Sequence, residues 1–155
     1  MLRYKGGVET GHCHKVPLRD GRDILVCVSG WEHTGAEWVG LYFIDLLHDE
    51  KPGAIFSAWS DRYGSCDAPS LYLSTIDKVE FLAEKRNDLP VISVTASLGE
   101  KQRSHEDIEA CKRDPDSMAL PPSKTYRMEF VFNGHGYEPT PSSAAIVRLF
   151  GPAIQ

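Results

Sequence analysis

A chain of 155 residues with 41% hydrophobic and 25% charged residues has the makeup of one globular domain, spanning 1–155, which excludes wholesale disorder. Its formal net charge of −5 argues against nucleic acid as a partner, because affinity for phosphate comes from basic surface, and suits a partner protein that is itself basic. No stretch approaches the roughly 20 apolar residues of a membrane span. Residues 1–7 lack a signal-peptide core, and the four cysteines are unevenly spaced with no CxxC pair. The expectation is therefore free thiols and a cytoplasmic location, with no membrane contact.

The first notable feature in the chain is His12-Cys13-His14. On a strand, alternate residues share a face, so His12 and His14 would present two imidazoles together with Cys13 turned away. Residues 24–31 form a β-rich apolar run that reads as a buried strand, and 38–47 form a second. Residues 32–36, which contain Gly35, read as the hairpin loop between them. Pro52-Gly53 punctuates the next turn, and 54–59 make a third strand, giving an antiparallel meander. A polar loop follows at 61–69, then a short strand at 70–73.

Segment 74–86 fits two periods. Ser74 with Asp77 resembles a capping box, and Ile76, Val79 and Ala83 have helical spacing, whereas Val79, Phe81 and Ala83 also alternate. The expectation is a helix. Residues 91–98 and 125–132 alternate cleanly between apolar and polar, as half-buried strands do. Ser104-His105-Glu106-Asp107 reads as the cap of a short helix ending near Lys112, and 113–124, with three prolines, as a loop. Thr140-Pro141 opens a C-terminal helix that Gly151-Pro152 stops. These elements predict an α+β domain, mainly one antiparallel sheet of five to seven strands with two or three short helices, including the C-terminal one.

Three groups of residues are candidates for function. A metal site would use His12, His14 and a third ligand, for which His33 on the first hairpin loop is a candidate and Asp61, Asp67 and His135 are others, with zinc, iron or nickel as the ion. The surface around Trp31, Trp59, Asp61, Arg62, Tyr63 and Asp67 combines aromatic area with charge, the makeup of a protein-binding hot spot. The tryptophans are also candidates for lining a small-molecule pocket. Cys66 in the polar loop would be a nucleophile only with a histidine beside it, and no nucleophile or phosphate-loop signature frames any residue. The reading favours a non-enzymatic protein-binding domain, in character like an immunity or antitoxin protein that inhibits its partner. The alternatives are a metal-dependent enzyme or metal-binding protein, and a small-molecule binder.

Overall fold

The computed structural model describes residues 12–17, 23–33, 36–45, 53–61, 66–114 and 120–151, and the side chains of all of these except 12, 31–33 and 61. The expected turn at 48–53 and the core of the 113–124 loop fall largely outside the described residues. The strands are β1 (His12–Pro17), β2 (Asp23–His33), β3 (Ala36–Asp45), β4 (Gly53–Asp61), β5 (Ser70–Arg86), β6 (Leu89–Gln102), β7 (Lys124–Phe132) and β8 (Tyr137–Pro139). Helix α1 (His105–Arg113) sits between β6 and β7, and α2 (Pro141–Val147) runs into a single 3-10 turn, Arg148–Phe150.

These strands make two antiparallel sheets of four, β1-β2-β3-β4 and β5-β6-β7-β8, and so correct the expectation of one α+β sheet of five to seven strands. The fold is mostly β with two short α-helices. Much of the error lies in 74–86, which is the body of β5 and not a helix. A bulge between Ile76 and Lys78 inserts one extra residue, so Ile76 and Val79 both face inward and both are 1% exposed. A bulged strand thus reproduces the three-residue spacing of a helix. The β5–β6 hairpin closes through Asn87 and Asp88, whose φ angles of 49° and 67° match the two left-handed residues of a tight primed turn.

The inner faces of the two sheets share one core. Val26, Val28, Leu41 and Phe56 from the first sheet meet Ile76, Ile92, Val94, Met128 and Phe130 from the second. Phe56 lies 6.0 Å from Phe130 and 5.2 Å from Phe150, which the 3-10 turn drops into the same core. Each such side chain contributes about 1.5–3 kcal/mol by leaving water. Where β4 passes β5, two serines replace a ladder. Ser74 Oγ accepts from the Trp59 N–H at 2.7 Å and donates to the Trp59 carbonyl at 2.6 Å. Ser60 Oγ accepts from the Ser74 N–H at 3.0 Å and donates to its carbonyl at 2.7 Å. These reciprocal bonds satisfy buried backbone groups that no strand partner serves.

Helix α2 continues past β8 along the flank of β7. Ser143 Oγ accepts from the Glu129 N–H at 2.8 Å, and the Thr140 N–H donates to the Glu129 carbonyl at 2.9 Å, so that stretch of edge is covered. Helix α1 starts with a full capping box, Ser104 with Asp107, as the sequence predicts.

Two disulfides, Cys13–Cys27 and Cys66–Cys111, overturn the free-thiol expectation. Spacing along the chain conceals both. Sheet register puts Cys13 directly opposite Cys27, while Cys66, after β4, meets Cys111 on α1.

Candidate functional site

The outer face of the first sheet is built from cross-strand rows. In β3 the inner positions are Val39, Leu41, Phe43 and Asp45, all buried, so Trp38, Gly40, Tyr42 and Ile44 take the outer side. Register then sets Lys15, Leu25 and Ile44 in one row and Cys13, Cys27 and Tyr42 in the next. Ser29, Gly40 and Ser57 form a third row, and Trp31, Trp38 and Trp59 a fourth. The Tyr42 ring lies across Gly40, where a Cβ would run into the far end of that ring and push it aside. Tyr42 therefore roofs the gap between the disulfide row and the tryptophan row.

Trp38, Trp59 and Tyr42 are each half-buried, so their rings remain partly open to solvent. Trp59 stacks on Tyr72 of β5 at 4.8 Å with the planes 21° apart, and extends the aromatic band to the second sheet. The Tyr72 hydroxyl donates to the Leu149 carbonyl at 3.1 Å. Burial pushes the Tyr72 phenol up; the Ser74 hydroxyl works against that shift and the Glu100 carboxylate adds to it. The phenol stays neutral and fixed as a donor. Leu149, 50% exposed, continues the apolar surface beyond it. The charges at the far end of the face are paired: Lys15 Nζ sits 2.6 Å from Asp23.

The second sheet has the opposite outer face. Lys78, Thr95 and Arg127 share one row, and Glu80, Ser93 and Glu129 another. Lys78 pairs with Glu80 at 2.6 Å and holds its carboxyl below the usual range, while Arg127 Nε donates to Ser93 at 3.0 Å. Closer to the start of β5, α1 and the Pro121-Pro122 segment cover this sheet; a Cβ on Gly99 would meet the Pro122 carbonyl at 2.9 Å.

Of the residues singled out in the sequence, register brings Trp31 and Trp59 into one row on either side of Trp38. His14 stacks on Phe81 at 4.3 Å, so its ring serves as packing between β1 and β5. The position of His33 lies along β2 from Val28, the register partner of His12, by about 17 Å at roughly 3.3 Å per residue. Among the described residues no group of three or more His, Cys, Asp or Glu stands close enough to hold a metal ion. The side chains of His12, His33, Trp31 and Asp61, and all of Arg62 and Tyr63, lie outside the described residues. Asp67 forms an ion pair with Lys112 on α1 at 2.9 Å. Cys66, the candidate nucleophile, is in a disulfide. A cavity of about 200 Å³ opens where β3 and β4 meet the β7–β8 turn, lined by Phe43, Ile55, His135 and Tyr137 among others, with no tryptophan. No described helix is long and apolar enough to cross a membrane.

The sequence reading counts Trp38 among the pocket candidates but leaves Trp38 and Tyr42 out of the partner-binding set, because 38–47 reads as a strand buried on both faces. The signal was present: Val39, Leu41 and Phe43 alternate with Trp38, Gly40 and Tyr42. Comparisons with family models, with curated proteins and with solved structures find no match for this chain.

Proposed function

We propose that the protein is a non-enzymatic binding domain that docks a partner protein on the outer face of its first sheet, around Trp38, Tyr42 and Trp59. The observation that carries this reading is the pair of half-buried register partners Trp38 and Trp59 beside half-buried Tyr42 on the outer side of the first sheet, with Tyr72 stacked on Trp59 at one end. Half-exposed tryptophan and tyrosine in a continuous apolar band are the usual makeup of interface hot spots. The net charge of −5 favours a partner apolar at its centre and basic at its rim. Inhibition of that partner, as an immunity protein would do it, is the corresponding mode of action. The two disulfides favour an oxidising compartment over the cytoplasm inferred from the sequence.

The decisive experiment compares the two outer faces against the partner retained from the native source. Trp38→Ser with Trp59→Ser should weaken its retention by about ten-fold or more. Arg127→Ser with Glu129→Ser on the second sheet should leave it unchanged. Retention that survives the tryptophan pair, or that fails with the second-sheet pair, refutes the assignment.

A further inference from the structure

The two disulfides differ in position. Cys66–Cys111 ties the segment after β4 to α1, and Cys111 is fully buried at 0% exposure. Cys13–Cys27 lies on the outer face of the first sheet, where Cys13 is exposed and Cys27 is 6% exposed. It joins β1, which among the described residues is an edge strand, to β2, its one ladder neighbour among them. Among the described residues, buried Val16, the His14–Phe81 stack and the Lys15–Asp23 pair also hold β1. The ion pair is solvent-exposed and worth little.

We propose that Cys13–Cys27 is a redox latch: an external dithiol opens it selectively, and β1 loosens from β2. The reductant's thiolate attacks Sγ of Cys13, the exposed residue of the pair. The Cys13–Cys27 bond breaks, a mixed disulfide forms on Cys13, and the Cys27 thiolate leaves and takes a proton from solvent. The reductant's second thiol, deprotonated, attacks its own sulfur in that mixed disulfide and releases Cys13 as a thiolate, which is protonated in turn. Two electrons pass to the protein, and the dithiol leaves as its cyclic disulfide. Cys66–Cys111 reacts more slowly, because its more open half, Cys66, is only partly exposed where Cys13 is exposed, and Cys111 is fully buried. The latch does not depend on the aromatic face having a partner.

The test treats the full chain with dithiothreitol under native conditions, then alkylates and reads each cysteine by mass spectrometry. Cys13 and Cys27 should be labelled at least about ten-fold faster than Cys66 and Cys111. Amide exchange across 12–17 should then rise by about ten-fold or more, while exchange across 91–98 in β6 stays unchanged. The Cys13→Ser, Cys27→Ser double variant should show the same faster exchange without reductant. Labelling of all four cysteines together, or unchanged exchange in β1 after selective reduction, overturns the proposal. A double variant that unfolds altogether makes the bridge a staple of the whole fold and overturns it equally.

Discussion

The two sheets have the same strand order and the same antiparallel connections, yet they meet solvent in opposite ways. The outer face of the second sheet is a grid of Lys78, Glu80, Arg127 and Glu129 around serines and threonines, and α1 shields its far end. The outer face of the first sheet carries Leu25, Ile44, Tyr42, Trp38 and Trp59 with a disulfide among them. Inner faces are alike because both serve one core; only the outer faces are free to differ. A charged grid needs nothing more than water, whereas a half-exposed aromatic band leaves apolar area that a partner can still bury.

That contrast presupposes that the sheets fold as one unit, and the largest expected effect tests this. Phe130→Ala removes the ring that faces Phe56 across the core and should cost about 3–5 kcal/mol. All three tryptophans belong to the first sheet. Tryptophan fluorescence and β6 amide signals should therefore still lose structure in a single transition, at lower denaturant. Two separate transitions would break the claim of a shared core. Ser74→Ala comes next. It strips the Trp59 N–H and carbonyl of their shared partner at the β4–β5 crossing and should cost about 1–3 kcal/mol, measured as a lower midpoint in urea. A cost near zero would mean that water replaces the hydroxyl there.

Smaller effects address the faces themselves. Gly40→Ala should push the Tyr42 ring off the sheet at a cost of about 1 kcal/mol, read as a change in the exposure of Tyr42 to chemical modification. An unchanged ring would show that the band has slack. On the second sheet, the Lys101 ammonium, followed by the Ser104 cap, holds the Asp107 carboxyl at about 2 against an ordinary 3.8. A depressed acid contributes above its unfolded value, so the start of α1 should hold at neutral pH and loosen as pH falls from about 3.8 to about 2. Amide exchange at α1 should follow that window in the native chain, and Asp107→Asn should abolish the dependence while leaving the first sheet unaffected. At the alkaline end, burial pushes the Tyr137 phenol far up, and its hydroxyl donates to the Pro90 carbonyl at 3.0 Å. A raised phenol stabilises the fold below the unfolded value and loses that contribution above it. Stability should therefore decline above about pH 10, and ultraviolet absorbance should show Tyr137 ionising only with unfolding.

Much of the fold was legible residue by residue. The β2–β4 meander followed from apolar runs split by turn residues, α1 from the Ser104–Asp107 box, and α2 from Thr140-Pro141 and Gly151. β5 was misread because its bulge sets two inward residues three apart, a local signal that only pairing with β6 resolves. The site was less legible. In the stretch His12-Cys13-His14, the His14 ring packs on Phe81 and Cys13 is bonded across the sheet to Cys27, neither of which spacing along the chain reveals. Trp38, Tyr42 and Trp59 are all half-buried, and the first two lie in a run that reads as wholly apolar along the chain.

The sequence by itself determined what local chemistry controls: which segments extend, where helices are capped, and which residues alternate. Period, turn residues and caps act over a few neighbours, so they can be read along the chain. The tertiary structure alone decided how the strands divide between two sheets, which cysteines pair, and that three tryptophan positions from three strands fall in one row. Each of those depends on register between segments distant in sequence, and register is fixed only when both inner faces are buried against each other.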